Sequence, residues 1–414
     1  MTLVEFVPPT PHPLWKLCPQ MGITDVIVKV NPDLTGLPDP WRYETLSQIV
    51  GRLADAGLRV VGLEGDPFDM SPIKEYIGHT DHKEHTVAFA SGSLGVSEDE
   101  LREEALAHYR ELLESMGRLG IKLLCYNFMV GKGWSRTGVR EGRGGAKATC
   151  FSLKETETWR TSDVGLKTSE VRSDRSEVLK LTAEQVWANY EYFIKAVMPT
   201  AEKCGIRMGL HPDDPCLSSL GGYARIIGSV EAYDRAYALY PSPSNAITFC
   251  QANFKLMFTK GNCHNCSQIA NTNVAVASGS LGVSENATST KNLQNSKTPS
   301  SESNINPANL VHSVKTLEEA VRHFGKRIAF IHVRDVEGTK EDFTELFHDQ
   351  GTTDQFALMR TYRELGLDVP VRGDHVPEMA YDRVLTPEGT PGYFTLGRLF
   401  ANGYLAALLK SVKG

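Results

Sequence analysis

Eight short runs of apolar and β-branched residues recur along the chain, with helical patterns between them. The runs are brief and mostly apolar, as expected of strands that are buried on both faces. They cover residues 2–7, 24–30, 58–64, 121–128, 206–211, 245–250, 327–333 and 368–374. Because strands that alternate with helices in this way favour a parallel sheet closed on itself, we expect an α/β chain folded as a (β/α)8 TIM barrel.

Apolar residues at helical spacing support this architecture. They predict helices at residues 41–56, 98–119, 183–203, 316–324 and 354–365. An open doubly wound sheet is the alternative, but the first strand is not followed by the glycine-rich turn that such a sheet uses to bind nucleotides. The barrel is therefore the favoured interpretation.

Two long segments interrupt the regular pattern, one after the fourth strand and one after the sixth. Residues 130–179 are glycine-rich early and charged later, and they form a candidate lid on the side of the barrel where active-site loops lie. Residues 251–309 are interpreted as an insertion, and their tail is rich in Ser, Thr and Asn and predicted to be disordered. With the excess length in these loops, all 414 residues are assigned to a single barrel domain.

Charge and composition exclude several classes of function. The chain has 44 Lys and Arg against 50 Asp and Glu, a net charge of −6, which argues against binding to nucleic acid or to an anionic membrane. No apolar run is long enough to span a bilayer, and the first ten residues lack the features of a secretion signal. Eight cysteines are too few for a disulfide framework, so we expect free thiols and a cytoplasmic location.

Residue types that bind metals lie at the ends of four consecutive predicted strands. These are His211, Cys250, His332 and Asp374, on the fifth to eighth strands. Because the active site of a barrel lies at the carboxyl ends of its strands, four separate runs would deliver these side chains to one place. Imidazole, thiolate and carboxylate together suit a first-row divalent metal such as Fe(II), Mn(II) or Zn(II).

Other polar side chains accumulate at the same strand ends, where a core would be apolar. A buried strand end should not collect charges without partners for them. For Arg334, a salt bridge with Asp335 or Glu337 is an alternative to a role in the site. The neighbouring polar residues are Glu64, Asn127, Asp213, Asp214, Arg334, Arg372 and His375.

Several motifs resemble those of the mannonate dehydratase family and occur in the family's order. LHPDDP at 210–215 and R-x-D-H at 372–375 are the most specific pair. The others are CYNFM at 125–129 with Trp134, Arg136 and Thr137 after it, TFC at 248–250, HVRD at 332–335, F-x-E-x2-H-x2-G-x2-D at 343–354, and Pro-Gly-Tyr at 391–393.

The resemblance implies a (β/α)8 barrel that holds Mn2+ or Fe2+ and dehydrates a small-molecule sugar acid. The reaction would convert D-mannonate to 2-keto-3-deoxy-D-gluconate and water, in hexuronate breakdown. The family's metal ligands map onto the same four strand-end residues, and its further catalytic residues map onto His375 and Tyr393. The family also leads us to expect a homo-oligomer.

The implied chemistry suits these residue types. The C2 proton of the substrate is only weakly acidic, so its removal requires stabilisation of negative charge by a divalent cation and an arginine, for which Arg334 is the candidate. His375 and Tyr393 can divide the acid and base roles. The remaining residues expected to hold the carboxylate and hydroxyls of the substrate are Asn127, Trp134, Arg136, Asp213 and Arg372.

Two departures from the family pattern leave other functions open. Cys250 runs into Gln251, where the family has a Thr-Gly-Ser-Leu-Gly turn, so residues 251–278 look inserted beside a metal ligand. Asp335 stands where the family usually has Asn, and its negative charge would weaken the binding of an acid sugar. The alternatives are a metal-dependent sugar isomerase or epimerase of the same barrel type, and a relative that the insertion has disabled.

Overall fold

The computed structural model describes residues 1–78, 96–131, 133–156, 181–259 and 314–412. In chain order its strands are β1 (Thr2–Leu3), β2 (Glu5–Val7), β3 (Asp25–Val28), β4 (Arg59–Glu64), β5 (Leu123–Tyr126), β6 (Gly138–Glu141), β7 (Lys147–Ser152), β8 (Arg207–Leu210), β9 (Ser219–Leu220), β10 (Tyr223–Ala224), β11 (Asn245–Cys250), β12 (Ile328–Val333), β13 (Val336–Thr339), β14 (Asp342–Glu345) and β15 (Pro370–Gly373).

The helices of the described residues follow most of these strands. They are α1 (Pro13–Gln20), α2 (Pro32–Thr35), α3 (Tyr43–Asp55), α4 (Ser71–Lys74), α5 (Glu98–Arg118), α6 (Leu153–Thr156), α7 (Ala183–Cys204), α8 (Val230–Leu239), α9 (Gln251–Met257), α10 (Leu317–Phe324), α11 (Gln355–Glu364), α12 (Asp382–Leu385) and α13 (Thr395–Ser411). None of them has the length and apolar character needed to cross a membrane.

The main sheet is a parallel barrel, which confirms the predicted fold. Its strands follow the order β1-β15-β12-β11-β8-β5-β4-β3-β2. The strands β1 and β2 are two parts of one extended segment, because β1 pairs with β15, with Thr2 opposite Pro370, whereas β2 pairs with β3. This segment therefore closes the sheet, and each of the eight predicted runs contains a strand of the barrel.

Two layers of apolar side chains hold the barrel together. The larger core lies between the sheet and the surrounding helices, as the helical periodicity predicts. A second cluster draws on strands from around the whole sheet, as expected for the interior of a barrel. Its buried members are Val4, Ile27, Leu123, Cys125, Ala246, Ala329 and Phe330.

A small antiparallel sheet lies outside the barrel, and we call it the accessory sheet. Its strand order is β13-β14-β7-β6, and Phe343 on β14 pairs with Phe151 on β7. The predicted loop 130–179 was therefore wrong in part, because it contains the hairpin β6–β7 and helix α6. On strands this short, the alternation of apolar and polar residues covers too few positions to distinguish a strand from a polar loop. Residues 157–179 lie outside the described part of the chain.

The helix α9 follows the sixth barrel strand without a turn. Five of its seven residues are buried, including Gln251, Asn253 and Phe254. The prediction that an insertion begins at Gln251 was therefore wrong. A helix this short, starting directly after a strand, has no sequence signature of its own. The rest of the predicted insertion, residues 260–309, lies outside the described residues.

Candidate metal and catalytic site

Four potential metal ligands converge at the carboxyl ends of the barrel strands. His211 directly follows β8, Cys250 ends β11, His332 is the penultimate residue of β12, and Asp374 directly follows β15. One ligand atom from each residue lies within 4.8 Å of the others. The structure thus brings together all four residues that the sequence picked out from separate strands.

The hydrogen bonding of both imidazoles leaves a ring nitrogen available to a metal. The Nδ1 of His211 lies 2.7 Å from the carbonyl oxygen of Pro212, and this nitrogen must donate because a carbonyl only accepts. The Nε2 of His211 is then free to act as a ligand. In His332 the Nε2 accepts a hydrogen bond of 3.2 Å from Arg372 Nε, and the buried Nδ1 lies 3.6 Å from Asp374 Oδ2. Two imidazoles, a thiol and a carboxylate fit a first-row divalent metal.

The thiol of Cys250 is surrounded by groups that favour its deprotonated form. Burial raises its pKa, but hydrogen bonds from His211 and His332 and the positive charge of Arg334 outweigh this effect and lower the pKa to about 6. The Nη1 of Arg334 lies 3.8 Å from the sulfur. Cys250 is therefore a thiolate at neutral pH, and the thiolate is the form that binds metals.

Two arginines and two carboxylates form a buried ionic network beside the ligands. Arg136 donates to both carboxylate oxygens of Asp214, at 2.7 and 3.0 Å, and its Nε donates to Glu345 at 2.9 Å. Arg334 contacts the same two carboxylates, at 2.7 Å from Asp214 Oδ2 and 2.9 Å from Glu345 Oε1. Arg136 and Arg334 were both expected to act on the substrate. In the structure they share Asp214 and Glu345 as ion-pair partners.

Arg372, on β15, is paired with a carboxylate at the end of β4. It forms a bidentate pair with Glu64, at 3.1 and 2.6 Å, and its Nη2 lies 2.9 Å from Asp374 Oδ1. Burial raises the pKa of Glu64, but Arg372 and His332 outweigh burial and lower it to about 2. Arg372 therefore holds Asp374 in place, in addition to the substrate contact expected of it.

The charge balance around the ligands depends on the histidines. Burial and Arg372 lower the pKa of His332, but Glu64 and Asp374 outweigh them and raise it well above its usual range. A metal-bound imidazole is neutral. Four carboxylates and the thiolate then face three guanidinium groups, and two negative charges remain. Buried charge of this kind is costly unless it is paired, and one divalent cation would balance it. The groups counted are Glu64, Asp214, Glu345, Asp374, Cys250, Arg136, Arg334 and Arg372.

The two predicted catalytic residues are hydrogen-bonded to each other. His375 Nε2 and Tyr393 Oη are 2.9 Å apart, and His375 Nδ1 lies 2.9 Å from Glu345 Oε1. The ring of Trp134 packs against that of His375 with 4.9 Å between centroids. The buried Nε1 of Trp134 has no hydrogen-bond partner among the described residues. Trp134 therefore presents an unsatisfied donor next to the pair.

Asn127 and Asp213 are placed by different partners. Asn127 Oδ1 accepts hydrogen bonds from Lys74 Nζ and from the backbone N–H of Met129, each at 3.1 Å. The amide nitrogen of Asn127 therefore remains available to donate a hydrogen bond. Asp213 accepts a hydrogen bond of 2.7 Å from the backbone N–H of Ile227, so its carboxylate secures the loop that follows β8.

Asp335 is neutralised by Lys255, a residue with no signal in the sequence. The Nζ of Lys255, on α9, lies 2.5 Å from Asp335 Oδ1, and the backbone N–H of Thr353 donates to Oδ2 at 3.1 Å. The negative charge that was expected to weaken the binding of an acid sugar is therefore compensated within the protein. Among the described residues, the carboxylate contacts of Arg334 are Asp214, Glu345 and Asp374, so the alternative of a salt bridge with Asp335 or Glu337 was wrong.

Two further residues near the site, Glu345 and Lys74, were also missed. Glu345 is part of the F-x-E-x2-H motif, which could have singled it out, although its contacts come from residues far away in the chain. Lys74 had no such signal. It lies on the short helix α4, is buried, and pairs with Asp66 at 2.6 Å.

Comparison with known proteins identifies the family. The family model for D-mannonate dehydratase (UxuA) matches residues 65–266 and 289–414. The match runs without a break through Cys250 and α9, and residues 267–288 are the internal stretch that the family model leaves unmatched. This result removes the reason for supposing that an insertion disables the site at Cys250.

Individual relatives agree with the family model. Mannonate dehydratase 2 of Halalkalibacterium halodurans is 27% identical over 329 residues, which cover 75% of this chain and 77% of the relative. The mannonate dehydratase of Brachyspira hyodysenteriae is 26% identical over 413 residues, covering 95% and 92%. The crystal structure of mannonate dehydratase from Streptococcus suis serotype 2 has the same fold, with a TM-score of 0.67, 21% identity, and coverage of 100% of this chain and 93% of that one. The chain belongs to the D-mannonate dehydratase family and is a hydro-lyase.

Proposed function

We propose that this protein dehydrates D-mannonate to 2-keto-3-deoxy-D-gluconate and water, with Mn2+ or Fe2+ as its cofactor. The observation that carries the proposal is the convergence of four ligand atoms, from His211, Cys250, His332 and Asp374, within 4.8 Å of one another. The family match supports the reaction class and a sugar-acid substrate.

The surroundings of this ligand set support a divalent ion. The thiolate at Cys250, and the Nδ1 of His332 lying 3.6 Å from the carboxylate of Asp374, favour a cation at this position. When bound, the cation would stabilise the negative charge that develops on the substrate as the C2 proton leaves. A mixed N, S and O ligand set of this kind favours a transition metal over Mg2+.

The protein's own residues supply the proton transfers and the orientation of the substrate. His375 Nε2 and Tyr393 Oη, 2.9 Å apart, are placed to take one proton from C2 and give one to the C3 hydroxyl, which then leaves as water. The free Nε1 of Trp134 and the amide nitrogen of Asn127 are donors for substrate oxygens. Arg334 adds positive charge beside the ligands.

The test combines product analysis with metal analysis. The purified protein, reconstituted with Mn2+ or anaerobically with Fe2+, is incubated with D-mannonate. We expect a 2-keto-3-deoxy acid in a keto-acid assay, its identity established by NMR, and about one metal ion per chain by elemental analysis. Treatment with EDTA should abolish product formation, and added Mn2+ should restore it.

Three outcomes of this test would contradict different parts of the proposal. Absence of keto acid from D-mannonate and other aldonates, with either metal bound, would contradict the dehydratase. An isomerised or epimerised sugar formed without loss of water would instead support the isomerase alternative. Full activity in protein that elemental analysis shows to be metal-free would contradict the cofactor.

A further inference from the structure

Glu345 is a buried carboxylate that belongs to the accessory sheet rather than to the barrel. It ends β14 and is 1% exposed. Its Oε2 accepts a hydrogen bond from Thr149 Oγ1 at 2.7 Å. Its Oε1 lies 2.9 Å from each of Arg136 Nε, Arg334 Nη2 and His375 Nδ1. One carboxylate oxygen therefore joins the ionic network to the predicted catalytic pair.

The partners of Glu345 fix the direction of its hydrogen bond with His375. Guanidinium groups only donate, so the oxygen between Arg136 and Arg334 must act as an acceptor. Burial raises the pKa of Glu345, but the two arginines and His375 outweigh burial and hold it well below its usual range. Arg136 Nη2 lies 3.5 Å from Nδ1 of His375, farther than the carboxylate oxygen at 2.9 Å. An ionised carboxylate cannot donate, so Nδ1 of His375 carries the hydrogen of the shorter contact.

The position of that hydrogen determines what the other ring nitrogen can do. In a neutral imidazole with Nδ1 protonated, Nε2 is an acceptor. It lies 2.9 Å from Tyr393 Oη, so the tyrosine hydroxyl must donate to it. With the opposite tautomer, Nε2 would donate instead, and the hydroxyl hydrogen of Tyr393 would have to point elsewhere.

The ring of His375 is otherwise already confined. Its backbone has φ of +36°, a conformation that non-glycine residues rarely adopt, and Val376 is held by a hydrogen bond of 2.8 Å to the carbonyl of Gly392. The rings of Trp134 and Tyr393 lie 4.9 and 5.0 Å from it, centroid to centroid. Packing sets where the ring lies, and the identity of the protonated nitrogen is what remains for a polar partner to decide.

We propose that Glu345 is a positioning residue that holds His375 with Nδ1 protonated and Nε2 turned to accept from Tyr393. The effect of this tautomer on catalysis rests on the proposed function. The accessory sheet thereby contributes to the reaction, because β14 carries the carboxylate that determines which ring nitrogen of His375 is protonated. Glu345 itself need not touch the substrate.

The first test measures the tautomer directly and does not depend on activity. Protein labelled with 15N in its histidine rings and loaded with diamagnetic Zn2+ is studied by NMR, and the His375→Asn variant identifies the signals of His375. We expect a protonated Nδ1 and an unprotonated Nε2 in the wild type. A protonated Nε2 in the neutral wild-type ring would overturn the proposal, even if no variant of Glu345 folds.

The second test compares two substitutions of Glu345. In Glu345→Ala the acceptor is lost, and we expect Nε2 protonation to appear and kcat to fall about 10- to 100-fold with little change in KM. Glu345→Gln can keep an oxygen at the Oε1 position, so it should retain most of both properties. The control Thr149→Val removes only the bond to Oε2 and should leave the tautomer unchanged.

A double variant separates positioning from a general structural effect. If Glu345 acts through His375, Glu345→Ala should lower kcat no further in a His375→Ala background. Losses of kcat that multiply in the double variant would contradict the proposal. If the wild type forms no keto acid from D-mannonate, the proposed function fails, whereas the NMR result still decides the role of Glu345.

Discussion

At the residue scale, Cys250 is the ligand whose chemistry depends most on its neighbours. Its lowered pKa makes it a thiolate, whereas the hydroxyl of a serine at the same position stays protonated and binds first-row metals poorly. We expect Cys250→Ser to lose its bound metal and to lower kcat at least about 100-fold. Elemental analysis and the keto-acid assay measure the two effects.

A matched cysteine provides the control for this substitution. Cys204 is partly exposed at the end of α7, away from the four ligands. Cys204→Ser should keep both metal content and turnover. Full metal occupancy in Cys250→Ser would show that the thiolate is not required as a ligand.

The buried ionic network leads to a second prediction at the residue scale, about the free energy of unfolding. Replacing Arg136 by Met leaves Asp214 and Glu345 to share Arg334 as their one buried guanidinium partner among the described residues. Because breaking a buried ion pair strands its charge, the free energy of unfolding in urea should fall by about 3–5 kcal/mol. The control Arg143→Met breaks an exposed pair with Asp349 and should cost less than about 1 kcal/mol. Equal losses from the two variants would contradict the prediction.

The four ligands could be found from the sequence, whereas the way the charges around them pair could not. Each ligand ends a strand that is recognisable from its own apolar run, and the barrel fold brings those ends together without further information. Glu345, Lys74 and Lys255 lie on short elements outside these runs. Their contacts join residues distant in the chain, such as Arg136 with Glu345, and no local pattern encodes such a pairing.

At the scale of elements, α9 shows how a short helix is fixed in place. Its Lys255 reaches the buried Asp335, which follows β12, and also donates to the carbonyl of Val336 at 2.9 Å. Its apolar side chains Phe254 and Leu256 are fully buried. The helix that follows a candidate metal ligand is thus tied to the next barrel strand by both charge and packing.

This arrangement predicts a particular pattern of stabilities. Lys255→Met should lower the free energy of unfolding by about 1–3 kcal/mol, because Asp335 is left buried without its cation. Asp335→Asn alone should cost less, since Lys255 is partly exposed and keeps Val336 as an acceptor. Adding Asp335→Asn to Lys255→Met should therefore restore stability. If urea unfolding shows the two losses to be additive, the pair is not coupled.

The barrel strands were predictable because burial on both faces leaves a continuous apolar run. The helices α3, α5, α7, α10 and α11 were predictable because one face of each is apolar at regular spacing. The short helix α9 and the accessory strands show neither signal. Their conformation is decided by contacts with the barrel and with one another, so the sequence predicted a loop where the structure has a sheet.

At the scale of the whole molecule, the unbalanced charge at the strand ends should couple metal binding to stability. A ligand that binds only the folded state stabilises it, by about 2.7 kcal/mol when its free concentration is 100 times its Kd. We therefore expect Mn2+ to raise Tm by a few degrees over EDTA-treated protein in a thermal scan. Cys250→Ser should show little response to Mn2+. An unchanged Tm in the wild type would contradict a metal at this site.

The divided first segment of the barrel has a consequence for how the chain is made. Thr2 pairs with Pro370, so β1 meets this neighbour only after all the residues between them have been synthesised. At ordinary rates of translation this interval is on the order of tens of seconds. During it, β1 has an open edge that a chaperone can cover and another nascent chain can capture. Barrel closure is therefore a late event in biogenesis, set by the order of synthesis as much as by the stability of the finished sheet.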